Sequence, residues 1–261
     1  EMGLNDPLLE RYGRWVTDAM QGDFGESYRY EGTSVRSLLA QRLPVTVLLA
    51  VISLLIITVI SVPLGILIAG KWVDTLTNCL TQILMAVPSF FLGMILTYVF
   101  GLILHMFQPG KFIEPSENFG KSAQYLLFPA LAVALPKIAM VVKFLRSSIL
   151  TEMNREYVRT AYSRGNTETA VLYGHVLKNA MIPVVTFFAM VIAEILAGSI
   201  VAEQVFSVPG IGRLLISSIS NRDYPVVQAI VLYITSVVVL INFAVDMIYQ
   251  VLDPRVRTAE E

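Results

Sequence analysis

Cysteine, histidine and charged side chains are all scarce in this sequence, and each shortage excludes a class of protein. A single cysteine, Cys79, allows neither an internal disulfide framework nor a thiolate metal cluster. The histidines, His105 and His175, have no carboxylate or cysteine at ligand spacing, so we expect no metal site. Charged residues make up only 15% of the chain and sum to a net charge of −1, which gives no indication of nucleic acid as a partner.

Motifs of common catalytic and nucleotide sites are also missing. The chain has no GxxxxGK[ST] loop for ATP. Gly210 and Gly212 form a G-x-G pair without the third glycine of a dinucleotide site, so we interpret them as part of a turn. Ser199, Ser207 and Ser217 lack the His/Asp constellation of a hydrolase. We therefore expect no catalytic residues and no cofactor in this chain.

Apolar residues, in contrast, are abundant. They make up 55% of the chain, and the mean hydropathy of +0.66 is typical of an integral membrane protein. A bilayer core requires about 20 apolar helical residues. Five stretches meet that requirement and predict an all-α membrane domain over residues 43–261. The predicted spans are residues 43–69, 80–105, 125–144, 183–201 and 226–250.

Prolines within these stretches predict irregular helices. Pro63 lies near the end of the first span, and Pro88 predicts a kink in the second. Pro129 and Pro136 are expected to break the third span, and Pro183 to open the fourth.

Residues 1–42 carry mixed charges throughout and are not expected to cross the membrane. Residues 7–20 predict an amphipathic helix, because apolar side chains recur there at helical spacing. Those side chains are Leu8, Leu9, Tyr12, Trp15, Val16 and Met20. The helix either lies at a membrane interface or packs as a short soluble helix on neighbouring loops.

Five spans would place the two termini on opposite sides of the membrane. Lys and Arg number nine on each side, so the positive-inside rule does not orient the chain. Omitting Arg11 and Arg14, which lie far from the first span, weakly favours residues 146–182 as cytoplasmic. Residues 1–42 would then be external with no signal peptide or span before them. We therefore expect a sixth span that precedes Glu1.

A polar segment at residues 156–183 stands between apolar stretches. Met153, Tyr157 and Ala161 continue a four-residue apolar repeat, which predicts an amphipathic helix rather than a span. Gly165 then breaks the helix, and Asn166 or Thr167 can cap a second one. We interpret this segment as a docking surface. The alternative is a solvated helical loop with no partner.

The residues of this segment resemble a known motif. It begins Glu156-Tyr-Val-Arg-Thr-Ala, continues to Gly165 and ends Lys178-Asn-Ala-Met-Ile-Pro. In this pattern it is similar to the EAA loop of binding-protein-dependent ABC importer permeases, especially the oligopeptide/dipeptide/nickel branch. Arg159-Thr-Ala replaces the general Glu-Ala-Ala, and Gly165 lies 18 residues before Pro183. Both departures are usual in that branch.

Further matches to that branch run along the whole chain in order. They are Gly3-Leu-Asn-Asp-Pro-Leu, Gly22-Asp-Phe-Gly-Glu-Ser, Arg42-Leu-Pro, Glu203-Gln-Val-Phe-Ser-Val-Pro-Gly-Ile-Gly-Arg-Leu, Asn221-Arg-Asp-Tyr-Pro and Asp253-Pro-Arg-Val-Arg. The resemblance implies the transmembrane domain of a type I ABC importer. It implies a permease subunit that imports oligopeptides or dipeptides, or alternatively nickel or metal chelates, opines or glutathione. A different class, an autonomous channel or secondary transporter, would need no docking segment.

The resemblance also implies a set of partners. They are a second homologous permease subunit, two ATPase subunits that hold ATP and Mg²⁺, an external substrate-binding protein and the lipid bilayer of a bacterial or archaeal plasma membrane. The residues expected to couple to the ATPase are Glu156, Tyr157, Arg159, Thr160, Ala161, Gly165, Asn166, Thr167, Glu168 and Leu172. Those expected in an external loop at residues 203–225 are Glu203, Phe206, Pro209, Gly210 and Gly212.

Two charges, Lys137 and Glu194, fall inside predicted spans. At 1.5 Å per residue they lie about 18 Å and about 16 Å from the span ends at Tyr125 and Pro183, near the membrane midplane. An unpaired charge there costs at least about 2.5–3.5 kcal/mol. Either the two side chains pair across adjacent antiparallel helices, or they line the translocation path and contact peptide termini.

Overall fold

The computed structural model describes residues 7–69 and 74–252. Its regular secondary structure in those ranges is helical, apart from one isolated bridge between Glu26 and Ser34, so the all-α prediction is confirmed. Several sequence features lie outside the described residues. They are the first four residues of the motif at 3–8, Lys71 and Trp72 just after the first predicted span, and the motif at 253–257.

The first half of the chain forms one short amphipathic helix, one long apolar helix and a pair of shorter helices. Helix α1 (Leu8–Met20) is the predicted amphipathic helix, and none of its side chains is buried. Helix α2 (Val35–Ala69) is long and apolar. Helices α3 (Asp74–Ala86) and α4 (Ser89–Leu96) follow, and α4 continues as a π-helix over Thr97–Ile103.

The second half contains three long helical stretches. Helix α5 spans Phe119–Met153, and the short helices α6 (Glu156–Ser163) and α7 (Glu168–Val171) follow it. A π-helical turn at Leu172–Val176 joins α7 to α8 (Leu177–Val205). Helices α9 (Ile211–Ser220) and α10 (Tyr224–Leu252) complete the described part of the chain.

Four helical stretches in the described residues are long and apolar enough to cross a membrane. They are α2, α5, the stretch Glu168–Val205 and the part of α10 from Tyr224 to Val245. The predicted second span is instead a bent pair of helices with an angle of 91° between them. Counting that pair as one span gives five. The predicted kink at Pro88 is confirmed, and the sixth span stays a prediction.

Helix α5 continues through Pro129 and Pro136, so the expected break of the third span is wrong. Pro183 likewise lies inside α8 rather than at its start. A proline removes only one backbone donor, and packing against neighbouring helices compensates for that loss. Helices α2 and α5 have 35 residues each. At about 52 Å they exceed a bilayer core of about 30 Å, so charged residues at their ends need not enter it.

Helix α5 lies at the centre of the fold, between α2 and α8. Buried side chains form three clusters along it. Phe107, Tyr125 and Phe206 mark the cluster at its α9 end, and Leu145 and Val158 mark the cluster at its α6 end. The middle cluster contains valines and isoleucines from α2, α5 and α8. This packing holds α5 and α8 side by side along their length.

Candidate functional site

The predicted docking segment is a compact helical protrusion. Helix α6 ends at Ser163, and Gly165 then adopts a φ of +82°, a left-handed conformation that favours glycine. Thr167, one of the two predicted caps, is the N-cap of α7, where its Oγ1 accepts a hydrogen bond from Ala170 N at 3.4 Å. The side chain of Asn166 instead donates to Ala161 O at 3.1 Å and closes the turn.

Apolar side chains fix this protrusion to the ends of the long helices. Val158 and Ala161 of α6 and Val171 of α7 are buried. They share a cluster with Leu145 of α5 and Val184 of α8, among others. Because the anchors come from both sides of Gly165, the whole protrusion is held rather than only its ends.

The residues predicted for coupling divide by exposure. Residues 162–170 are all exposed and form the tip of the protrusion. The exposed members of the predicted set are Glu156, Arg159, Thr160, Gly165, Asn166, Thr167 and Glu168. Tyr157 and Leu172 are half-buried, and Ala161 is buried against the protein's own helices. Ala161 therefore anchors the protrusion and does not present a side chain to a partner.

Tyr157 connects the base of the protrusion to the end of α5. Its hydroxyl donates to Glu152 Oε2 at 2.8 Å. Burial raises the pKa of the Tyr157 phenol above its usual value, and a hydrogen bond with Asn179 opposes that shift. The phenol therefore stays protonated at neutral pH and available as a donor.

Lys137 of α5 and Glu194 of α8 form an ion pair in the structure, although 57 residues separate them in sequence. The two side chains, hereafter the charge pair, are 20% and 42% exposed. Phe144 and Phe187 stack on the same two helices with ring centroids 4.3 Å apart. Each phenylalanine lies seven residues, about 10 Å, from its charged neighbour towards the α6 end.

Glu203, placed by the sequence in an external loop, is fully buried at the end of α8. Thr46 Oγ1 donates to Glu203 Oε1 at 2.6 Å, and Arg213 N donates to Oε2 at 3.1 Å. Thr46 Oγ1 also accepts from Ile211 N at 2.8 Å. Glu203 and Thr46 together therefore cap the N-terminus of α9, where backbone donors have no partner within the helix.

The other residues predicted for this loop form the interior of a turn. A Cβ on Gly210 would overlap the Glu203 carboxylate, and a Cβ on Gly212 would lie 2.8 Å from Ile200 Cβ and closer still to Ile200 Cα. Phe206 is fully buried, and its carbonyl accepts from Tyr125 Oη at 2.7 Å. Pro209 is half-buried. The two glycines thus serve close packing, in agreement with the predicted turn.

Sequence reasoning missed a second buried acid, Asp223, which lies between α9 and α10. Ser27 Oγ donates to Asp223 Oδ2, and Tyr28 N donates to Oδ1 at 3.1 Å. The Arg29 guanidinium also donates to Ser217 Oγ. Asp223 thereby joins two motifs that were recognised separately, at residues 22–27 and 221–225. Both motifs match the same family of permeases, and that shared match was the sequence signal that could have linked them. It does not indicate, however, that the two motifs are in contact.

We expect the Asp223→Asn variant to lower the free energy of unfolding by about 1–3 kcal/mol, because the amide nitrogen that replaces one carboxylate oxygen cannot accept the hydrogen bond from Ser27 or Tyr28 that this oxygen accepted. Thermal unfolding of the detergent-solubilised complex measures the effect. Ser27→Ala should cost less in the Asp223→Asn background than in the wild type, although in both it removes the hydrogen bonds that Ser27 Oγ accepts from Arg29 N at 3.2 Å and Tyr30 N at 3.0 Å. Full additivity of the two changes would show that this contact does not hold the N-terminal segment.

Comparison with known proteins places these features in a family. A family model described as binding-protein-dependent transport system inner membrane component matches residues 61–258. The chain is 36% identical over 259 residues to the oligopeptide transport system permease protein AppB of Bacillus subtilis, covering 97% of this chain and 82% of AppB. It is 35% identical over 260 residues to the probable peptide ABC transporter permease protein y4tP of Sinorhizobium fredii, covering 98% of this chain and 83% of y4tP. These matches confirm the resemblance, and the chain belongs to the family of inner membrane components of binding-protein-dependent transport systems.

Proposed function

We propose that this chain is a membrane-spanning permease subunit of an ATP-driven importer of oligopeptides or dipeptides. An external binding protein delivers the substrate, and cytoplasmic ATPases drive its translocation. The names of the two relatives, both of which refer to peptides or oligopeptides, support the substrate class. In this arrangement a second, homologous permease completes the membrane part.

The observation that carries the coupling role is the exposed tip at residues 162–170 on a buried base. A surface that transmits force must be accessible to its partner and rigidly connected to the helices that it moves. The tip meets the first condition, and the anchors Val158, Ala161 and Val171 meet the second. We infer that the tip, together with the exposed α6 residues Glu156, Arg159 and Thr160, inserts into a cleft of the ATPase and that ATPase closure moves α5 and α8.

The same assignment orients the chain. Residues 146–182 are cytoplasmic, and residues 1–42 and 203–225 are external. The buried acids Glu203 and Asp223 then hold the external side together, since Glu203 joins α2 and α8 to α9, and Asp223 joins the segment after α9 to Tyr28. This external assembly is the side on which a binding protein delivers its substrate.

Charge reversal at Arg159 tests the coupling role. Arg159→Glu is expected to reduce recovery of ATPase subunits with a tagged permease, and ATP-driven peptide uptake, by about tenfold or more, as for an arginine at the centre of an interface. Arg155→Glu is a matched control. Both arginines are exposed, and each pairs with a glutamate three residues earlier, at 3.6 Å for Arg155 and 3.3 Å for Arg159.

Because an ion pair with an arginine at the surface contributes at most about 1 kcal/mol, helix stability should respond similarly in the two variants. Arg155→Glu should therefore keep ATPase recovery and uptake within about twofold of the wild type. Normal coupling in Arg159→Glu would contradict the docking role. Uptake by the permease without any ATPase would contradict the importer mechanism itself.

A further inference from the structure

The face of α5 and α8 that carries the charge pair is open in this chain. Glu194 keeps 42% of its side-chain surface exposed even though it contacts Lys137. Met190, one turn before Glu194 on α8, and Val201, two turns after it, are exposed on the same face. The charge pair therefore lies on an outer face of the helix bundle and not in its packed interior.

The exposed faces of the other long helices differ in chemistry. On α2 the exposed side chains include Val51, Leu55 and Val59, and on α10 they include Leu240 and Phe243. Apolar faces of this kind suit acyl chains. A face that carries two charges near the membrane midplane does not, because charges in hydrocarbon require a partner or a water-filled cavity. The α5–α8 face therefore borders water or another protein rather than lipid.

The fold does not depend on the charge pair to hold α5 against α8. At the α9 end, Tyr125 Oη donates to Phe206 O at 2.7 Å. At the α6 end, Phe144 stacks on Phe187. Buried valine and isoleucine side chains fill the seam between these two contacts. A partly exposed ion pair adds little stability to such packing, which leaves the charge pair free for a role other than holding the two helices together.

Both members of the charge pair have hydrogen-bonding capacity to spare. An ammonium group has three donors, and a carboxylate has about four acceptor sites. Within residues 7–69 and 74–252, Lys137 and Glu194 hydrogen-bond only to each other. The remaining donors and acceptors are available to a ligand on the open face. A ligand with one cationic and one anionic group satisfies both side chains at once.

We propose that the charge pair binds the two charged termini of a short peptide during translocation, with Glu194 accepting from the ammonium terminus and Lys137 donating to the carboxylate terminus. This inference rests on the proposed function, since it requires a translocation path along this face. The exchange replaces one ion pair with two, so no charge is left unpaired while the peptide passes. Peptides with blocked termini lack both groups and gain nothing from the site.

The test is uptake of tritiated alanyl-alanine by proteoliposomes that contain the intact importer. Lys137→Met and Glu194→Gln are each expected to reduce uptake by about tenfold or more, the loss expected for a hydrogen-bonded charge. ATPase recovery and thermal stability should remain unchanged. Lys143→Met is the matched control, because Lys143 is an exposed lysine of α5 outside the charge pair.

Exchange of the two charges, Lys137→Glu with Glu194→Lys, distinguishes a role in peptide binding from a role in holding α5 against α8. The exchanged side chains can still pair, but they present their charges in the reverse order, so we expect uptake to stay low. Recovery of uptake in the exchanged variant, or wild-type uptake in both single variants, overturns this inference alone. A wild-type importer that takes up no peptide overturns both this inference and the proposed function.

Discussion

Gly212→Ala is expected to destabilise the protein by about 2–3 kcal/mol and to lower the apparent Tm of the detergent-solubilised complex by roughly 5–10 °C. The added Cβ would lie 2.8 Å from Ile200 Cβ and closer still to Ile200 Cα. A backbone atom cannot move aside as the end of a flexible side chain can. Helix α9 would therefore have to move away from α8, and that movement would pull Ile211 from Thr46.

Gly198→Ala is the matched control for this prediction. Gly198 lies in α8 two residues before Ile200, and a Cβ there would lie 3.7 Å from Val133 Cγ1, an ordinary van der Waals distance. We expect this variant to keep the wild-type Tm or to exceed it slightly, because alanine favours the helix over glycine. Equal stability of the Gly212 and Gly198 variants would contradict the close approach of α9 to α8.

Glu203→Ala is expected to cost about 3–5 kcal/mol, because it leaves the buried Thr46 hydroxyl and the partly buried Arg213 N–H without an acceptor. Both donors contact the carboxylate at hydrogen-bonding distance in the structure. Glu203→Gln should cost less, about 1–2 kcal/mol, since its remaining carbonyl oxygen still accepts one hydrogen bond. Thermal unfolding of the solubilised complex should rank the three proteins in that order.

A double variant makes this prediction more specific. Gly210→Ala alone places a Cβ where the Glu203 carboxylate lies and should be destabilising. In a Glu203→Ala background the same Cβ has room, so the two changes together should cost less than the sum of their separate effects. A double variant that loses the full sum, or Glu203→Ala with wild-type stability, would show that the carboxylate does not occupy the cap.

The predicted docking segment at residues 156–183 is the part that sequence reasoning described most fully. Its four-residue apolar repeat, the glycine at 165 and the cap at Thr167 are local features, and the structure has a helix, a left-handed turn and a capped helix in that order. Burial was the missing information. Ala161 matches the coupling motif, yet it faces the cluster around Leu145, because the side of α6 that faces inward depends on where α5 and α8 lie.

The prolines show where prediction from the local sequence fails. Pro88 bends the chain by 91° between α3 and α4, whereas Pro129 and Pro136 interrupt nothing in α5. All three residues carry the same local restriction on the backbone. The difference lies in packing, since α5 is surrounded by α2 and α8, and those contacts maintain a continuous helix.

Composition and short-range periodicity were sufficient for the helical class, the long apolar stretches and the polar docking segment, because each depends on residues within a few turns of one another. The contacts Lys137–Glu194, Thr46–Glu203 and Ser27–Asp223 join residues 57 to 196 positions apart. No local pattern specifies which distant acid meets which donor. Only the packing of α2, α8 and α9 brings Thr46 to Glu203, and only the antiparallel packing of α5 and α8 brings Lys137 to Glu194.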